Sequence, residues 1–461
     1  MNAKRICFSF GLLLALSGYC SNDPAWLVQV QNEQRPWAIH GSIVSEHGVQ
    51  DGWVVFHRGV ITTIEANEDR LPINARKISC DGYIFPGLID THNHVPWNVL
   101  PHWRADHKFN SRYEWLTNSA YIREVNNVFY NNIRRANLED AALKYGEIRA
   151  LIGGTTALQS SYATPEPRCL IRTLDSNYME DSRIPDICAT NAGADIKRFT
   201  NGLAAGTTRR VFLHIGEGKA SDPKAASEFA FLRTNNLVRS GVVIIHGTAL
   251  SKSELREMAA AGMYLVWSPE SNFILYGETA QILEALEAGV IVSLAPDWTI
   301  TGSDNVLQEL KVAWNYSQTH LGGKVTPEEL YRMVTINAAK VAGVDQFLGK
   351  IAPTFAADLF IAPKLDANPY LSLLQSRPKD IQLVFVDGQP IYGSTDQMQN
   401  LVNMRVFATN IVDEIDVDGA KKGIVTLGDP LTDPHYNQHF STITNILTTA
   451  LSTNLAKLLE D

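Results

Sequence analysis

The 461-residue chain is 45% hydrophobic and 19% charged, long enough to bury one large domain of about 250 residues or more plus a smaller one. Its formal net charge of -9 and the lack of a long basic run argue against nucleic acid or an anionic membrane as partner, since both attract basic surfaces. A small molecule is the expected partner.

Residues 1–20 read as a secretory signal, with Lys4 and Arg5 before an apolar run over 6–16 and small residues at Ser17 and Gly18. That run is about 11 residues, short of the roughly 20 needed to span a bilayer, so no membrane span is expected. Cleavage after Ser17 follows an Ala15-Leu16-Ser17 pattern. A lipid anchor at Cys20 is the alternative, but Tyr19 and Ser17 match a lipoprotein signal poorly. The expected location is therefore outside the cytoplasm, periplasmic or secreted. The five cysteines include no Cys-x-x-Cys pair, which excludes a thiolate zinc cluster. Cys169 and Cys188 are read as buried free thiols, with a disulfide between them as the alternative.

Residues 36–85 alternate apolar and polar positions in short runs separated by turn residues, which predicts a small β region. The apolar stretch 86–91 then leads into His92-Asn93-His94. Side chains alternate along a strand, so His92 and His94 face the same way and can converge on one metal ion. A segment rich in aromatic residues follows, including Trp97, Trp103, Arg104, Trp115 and Tyr121. From 138 onward helices alternate with strands. Helices are predicted at 138–151, 195–205, 224–239, 252–261, 280–288 and 306–316, and strands at 184–190, 210–214, 242–246, 263–268 and 290–295. About eight strands in this spacing imply a parallel sheet closed into a (β/α)8 TIM barrel. An open doubly wound sheet would need a Gly-x-Gly-x-x-Gly loop after a strand, and none is present.

Another helix is predicted over 326–342, with Thr326 as cap and Pro327 in the first turn. Strands at 358–362 and 381–386, closed by the turn Asp387-Gly388-Gln389-Pro390, are read as returning to join the N-terminal strands in one β-sandwich. The expected domains are a signal peptide at 1–20, sandwich strands at 36–85 and 346–400, a barrel at 86–345 and an extension at 401–461. The extension ends in a helix whose apolar stripe is read as packing surface, with contact in a homo-oligomer as the alternative.

Working residues of a parallel barrel sit at the C-terminal ends of its strands. There the sequence places His92 and His94, then His214 with Glu217 beyond it, then His246, then Asp297. By type and position His92, His94, His214 and Asp297 form an N3O ligand set that leaves an open coordination position for water. Glu217 would carry a proton from that water to a leaving group, and His246 would hydrogen bond to the water or to a substrate oxygen. Singly, each residue has a plainer reading, such as a structural strand-end histidine or a solvated loop charge.

Together these positions resemble the amidohydrolase superfamily, in its branch of mononuclear deaminases and chlorohydrolases. The resemblance is carried by Pro86-Gly87-Leu88-Ile89-Asp90-Thr91-His92-Asn93-His94, Gly154-Thr155-Thr156, His214-Ile215-Gly216-Glu217, His246-Gly247-Thr248, Ser268-Pro269-Glu270-Ser271-Asn272 and Asp297. It extends through Thr335-Ile336-Asn337 and Ala357-Asp358-Leu359 to cover residues 36–395. It implies one divalent metal, zinc before iron, on His92, His94, His214 and Asp297, with Glu217, His246 and Asp297 in catalysis. Binuclear relatives carry a strand-four lysine, which 184–190 lacks, and Lys197 lies too far along. Ala295 and Pro296 replace the usual glycine and threonine before Asp297, so the pocket floor is expected to differ.

The implied reaction is hydrolysis of a carbon–nitrogen bond other than a peptide bond, by deamination of a heterocyclic amine or opening of a cyclic amide. The alternatives are hydrolysis of a linear amide, dipeptide or carbon–halogen bond, and a non-catalytic ligand-binding protein on the same scaffold. Which substrate is turned over is not legible, because pocket residues lie in long loops.

Overall fold

The computed structural model of the protein describes residues 35–160, 170–175, 179–181, 193–403, 412–426 and 439–458. The signal-peptide reading, Cys20, the Cys169 and Cys188 pair and the strand expected at 184–190 lie outside these residues. The described strands form three sheets of nine, five and three strands.

The nine-stranded sheet takes its strands from both ends of the chain. Its N-terminal members are β1 (Trp37–Ser45), β2 (Gly48–His57), β3 (Val60–Glu65) and β4 (Arg76–Pro86). The three-stranded sheet is parallel: β5 (Leu88–Asn93), β6 (Thr155–Ser160) and β7 (Arg172–Thr173). Five more parallel strands follow: β8 (Met179–Asp181), β9 (Arg210–Ile215), β10 (Val242–His246), β11 (Tyr264–Trp267) and β12 (Ile291–Leu294). β13 (Leu359–Ala362), β14 (Leu383–Val386), β15 (Gln389–Ser394), β16 (Val412–Val417) and β17 (Ala420–Val425) complete the large sheet. There β13 lies antiparallel to β4, with Ile361 opposite Ile84. Trp37, Phe56, Ile84, Ile361 and Phe385 pack together in one of its apolar clusters.

Three hairpins of this sheet share one turn chemistry. Arg58-Gly59, Asp387-Gly388 and Asp418-Gly419 each connect two strands directly, and both residues of every pair have positive φ. Such two-residue loops match the right-handed twist of the strands they join, and glycine supplies the second left-handed position without strain. The turn read at Asp387 to Pro390 is therefore shorter than the sequence suggested: Gln389 and Pro390 already belong to β15. Pro390 faces Phe385 at a shift of register, an irregularity that suits a residue without an N–H.

Helices between the parallel strands include Glu139–Leu151, Gly193–Ala205, Pro223–Thr234, Lys252–Ala261, Pro269–Leu275 and Ile282–Ala288, and Val306–His320 follows β12. Lys252–Ala261 follows from its ends: Ser251 and Glu254 form a reciprocal capping box, and Gly262 closes it at φ 66°. Pro223–Thr234 stops short of the predicted 239, because Asn236 turns left-handed at φ 56°. The single helix predicted over 326–342 is two, Pro327–Met333 and Ile336–Ala342. The break has a partner: the Val334 carbonyl accepts the N–H of Ile89 on β5 at 2.8 Å, so it leaves the helical ladder to support the strand that carries His92.

The described edges of the two parallel sheets meet at the working residues. Asn93 and Asp297 form a parallel bridge, and the His94 N–H donates to the Asp297 carbonyl at 2.9 Å. The aromatic segment after β5 folds into short helices, among them Arg112–Trp115 and Phe129–Arg134. Its Trp103, Trp115, Tyr121 and Phe129 pack with Tyr276, Trp298 and, from the C-terminal helix Phe440–Leu458, Ile443 and Leu447.

Candidate metal and catalytic site

All six residues singled out in the sequence come together. His92 lies on β5 and His94 just beyond it, His214 lies on β9, and His246 ends β10. Their rings approach closely, with centroids 5.0 Å apart for His92 and His94, 4.8 Å for His92 and His214, and 5.4 Å for His214 and His246. Asp297 Oδ1 lies 3.2 Å from His92 Nε2 and 3.4 Å from His94 Nε2. Glu217 Oε2 stands 3.9 Å from His246 Nε2. Three overlapping groups have side-chain donor atoms within 4.8 Å of one another: His92, His94 and His214; His92, His246 and Asp297; His214, Glu217 and His246.

Backbone strain accompanies two of these positions. His246 and Asp297 both take φ 69°, a left-handed conformation that side chains other than glycine rarely adopt. Strain of this kind persists where surrounding contacts over-determine it, and it gathers at functional sites.

Burial and neighbouring charge set the protonation of the cluster. Burial, then the adjacent histidines, hold His214 well below the ordinary imidazole range. Burial also lowers His246, against the pull of Glu217 and Asp297. Both are therefore neutral, the form in which imidazole donates a lone pair to a metal. Burial works to raise Asp297, yet the hydrogen-bonding partners His92 and His94 hold its carboxyl well below the usual range, so it is ionised.

The donor set fits a divalent metal. His92 is fully buried, its Nδ1 has no hydrogen-bond partner, and its Nε2 has Asp297 Oδ1 at 3.2 Å without good hydrogen-bond geometry. Leaving a buried polar group unpaired costs about 1–3 kcal/mol, which a metal bound at one nitrogen would offset in part. Three imidazoles and one carboxylate also match the ligand types that zinc accepts.

A second set of residues, given no role by the sequence, holds the first. Arg112 donates to the His214 carbonyl at 2.7 Å and to Glu228 at 2.9 Å, while Glu228 accepts the Gly216 N–H at 2.6 Å. These bonds fix the turn from His214 to Glu217. Asp90 accepts the Asn93 amide at 2.6 Å, and burial raises its carboxyl to about 7. Asn93 in turn accepts from Asn98, whose own oxygen accepts the Thr299 N–H at 2.9 Å. Ser271 donates to Asp297 Oδ2, Tyr276 donates to Glu217 Oε1, and the Asn272 amide lies 3.1 Å from His246 Nδ1. Asp90, Asn93, Gly216, Ser271 and Asn272 stand in the motifs quoted from the sequence, whereas Arg112, Asn98, Glu228, Tyr276 and Thr299 have no local signal.

The aromatic residues divide. Trp298 sits on the site, its ring 5.2 Å from that of His94. Trp103 instead packs within the covering segment, stacked on Phe109 and donating to Glu124. Arg104 faces solvent, and buried Gln159 donates to Asp175. Lys197 is exposed on the helix Gly193–Ala205, away from any bridging position.

Residues 211–391 match the model of the amidohydrolase family. The chain is 26% identical over 194 residues to a 5-methylthioadenosine/S-adenosylhomocysteine deaminase of Pyrococcus furiosus, a match covering 39% of this chain and 46% of that protein. The chain thus spans about half the length of that relative. Guanine deaminase of Mus musculus is 23% identical over 351 residues, 65% of this chain and 76% of that one. Among solved structures, a zinc-bound adenosine deaminase from Xanthomonas campestris superposes with a TM-score of 0.62 at 18% identity, over 80% of this chain and 97% of that chain. A triazine hydrolase from Arthrobacter aurescens gives 0.63 at 16% identity, over 81% and 100%. At such identities the structures speak for a shared α/β fold with parallel sheets. Residues 211–391 are thus similar to the amidohydrolase family, and these relatives matched in sequence are deaminases.

Proposed function

We propose that this protein is a metal-dependent hydrolase that cleaves a carbon–nitrogen bond of a small molecule, removing an exocyclic amine from a heterocycle or opening a cyclic amide. His92, His94, His214 and Asp297 would hold one divalent ion, zinc first, and when bound it supplies Lewis acidity and a water with its pKa lowered toward about 7. The observation that carries the reading is Glu217 beside this donor set, its Oε2 3.9 Å from His246 Nε2. With Oε1 occupied by Tyr276, Oε2 is the oxygen that can take a proton from water and pass it to a nitrogen leaving group. Asp297 Oδ1 faces the histidines while Oδ2 is held by Ser271, so the carboxylate is oriented and can share the water's proton as attack begins. His246, neutral and buried, is placed to hydrogen bond to the substrate at the face opposite Asn272. Trp298 offers an aromatic wall against His94, which suits a planar ring.

The proposal extends to the architecture. The two parallel sheets, three strands and five, would close as one eight-stranded barrel across the Asn93 and Asp297 bridge, and the nine-stranded sheet would form the composite sandwich beside it. The domain limits read from the sequence belong to this proposal. So does export, which rests on residues 1–20. Mass spectrometry of the native protein should find its first residue between 18 and 21, whereas an intact Met1 would refute export by cleavage.

The test is catalytic. Protein stripped with a chelator and reloaded with zinc or iron should release ammonia from a member of a panel of heterocyclic amines, or open a cyclic amide. Stripping should abolish turnover and reloading should restore it. A metal-loaded protein inert on the panel, or active only on dipeptides or halogenated rings, would overturn the carbon–nitrogen assignment.

A further inference from the structure

Three tryptophans begin hydrogen-bond relays that end on Glu217, Asp297 and His246, the three residues given catalytic roles above. An indole N–H donates and never accepts, so each relay has a direction. The Trp115 indole donates to Tyr276 Oη at 2.8 Å, and the Tyr276 proton is thereby directed to Glu217 Oε1 at 2.6 Å. The Trp298 indole donates to Thr301 Oγ1, which lies 2.9 Å from Ser271 Oγ, and Ser271 lies 2.7 Å from Asp297 Oδ2. Ser271 donates to Asp297 Oδ2, so its one proton is committed there, and Thr301 must donate to Ser271.

The third relay decides a tautomer. The Trp267 indole donates to Thr279 Oγ1 at 2.8 Å, and Thr279 Oγ1 lies 3.2 Å from Asn272 Oδ1. The other end of the same amide, Nδ2, lies 3.1 Å from His246 Nδ1. With the amide reversed, Thr279 Oγ1 would face two N–H donors, and its own proton would lose its acceptor at Asn272 Oδ1. The orientation that satisfies every group has Thr279 donating to Asn272 Oδ1 and the amide donating to His246 Nδ1. A ring nitrogen that accepts carries no proton, so the proton of His246 sits on Nε2, the nitrogen 3.9 Å from Glu217 Oε2.

Ser271, Asn272, Tyr276 and Thr279 all belong to the helix Pro269–Leu275 and the residues just after it. The geometry points to residues 271–279 as a positioning element that fixes the donor and acceptor roles of Asp297, His246 and Glu217 through these tryptophan-initiated relays. Asp297 Oδ1 is left to the metal side, Glu217 Oε2 to the mobile proton, and His246 Nε2–H is a donor rather than a base. The catalytic meaning of this assignment rests on the function proposed above, whereas the tautomer can be measured independently of any substrate.

The experiment uses zinc-loaded protein labelled with 15N in histidine. Long-range 1H–15N spectra distinguish a protonated ring nitrogen from an unprotonated one, and the His246 signals are identified by their loss in His246→Asn. The wild type should show His246 protonated at Nε2. Thr279→Val keeps the side-chain shape and removes the hydroxyl, so a population protonated at Nδ1 should appear; Thr279→Ser should return the wild-type pattern. Trp267→Phe should produce the same change as Thr279→Val, and keeps the test decisive should the valine variant fail to fold. Protonation at Nδ1 in the wild type, or an unchanged tautomer in the folded variants, overturns the relay. An enzyme inactive on every panel substrate but showing the expected tautomers would instead sink the function and leave the relay standing.

Discussion

Gly302 has no room for a side chain: a Cβ there would lie 1.9 Å from the Pro296 carbonyl oxygen and 2.7 Å from that of Trp298. Backbone atoms cannot step aside as a flexible side chain does, so Gly302→Ala must displace the turn that holds Asp297 at its left-handed φ. The expected outcome is destabilisation of about 1–3 kcal/mol together with weaker zinc binding, read by urea melts and metal analysis. Retention of both would contradict this reading of the loop. A second residue sets a pH dependence. Glu309 is fully buried, and burial raises its carboxyl from 4.5 to about 8. Between those values the folded chain keeps a proton that the unfolded chain has shed, so its contribution to stability falls as pH rises through that window. Melting temperatures from pH 5 to 8 should therefore decline less in Glu309→Gln than in the parent; parallel profiles would refute the assignment. His92, His94, His214, Glu217, His246 and Asp297 were legible in the sequence because each stands at a strand end, where parallel sheets place their chemistry. The roles of Tyr276, Ser271, Thr301 and Trp115 were not. Tyr276 reaches Glu217 across 59 residues and Trp115 reaches Tyr276 across 161, and no local pattern encodes a contact between such distant hydroxyls and indoles.

At the scale of elements, the parallel strands are tied to the large sheet by a buried cation. Arg172 on β7 lies 3.2 Å from both carboxylate oxygens of Asp358, which precedes β13, and 3.0 Å from Asp387 in the turn before β15. Removing one partner of a buried pair leaves the other charge uncompensated, at a cost of about 3–5 kcal/mol. Arg172→Met should lower stability by that order in denaturant titration. A change within about 0.5 kcal/mol, the range of ordinary surface substitutions, would show that the tie is dispensable. Strands β9 to β12 and their helices were legible because apolar runs and end caps repeat with the right spacing; Ser251 and Gly262 bracket one helix unambiguously. The break at Val334 was not, since its cause is the Ile89 N–H on a distant strand. Likewise β15 hid behind Asp387-Gly388, whose turn signal was correct but whose continuation through Pro390 depends on a register shift against Phe385.

Across the whole molecule, the covering segment and the C-terminal helix share one apolar cluster with the site's own aromatics. Ile443 is fully buried there, with Leu447, Phe129 and Trp298 in the same cluster. Ile443→Asp would bury a carboxylate without a partner, which interiors tolerate only at a cost of several kcal/mol. The variant should melt well below the parent and expose apolar surface to a fluorescent dye. An unshifted melt would mean that the final helix is not part of the folded unit. The helical stripe in this segment was legible as packing surface, but its destination was not, because periodicity names a buried face without naming what covers it.

The proposed site holds one metal on His92, His94, His214 and Asp297, with Glu217 beside it but not binding it. The direct measurement is metal stoichiometry by calorimetric titration of chelator-stripped protein with zinc, in the parent, His92→Asn and Glu217→Gln. One tight zinc per chain is predicted in the parent and in Glu217→Gln, with affinity reduced at least 100-fold in His92→Asn. Two tight ions per chain, equal affinity in His92→Asn, or loss of zinc in Glu217→Gln would contradict the site proposed for this protein.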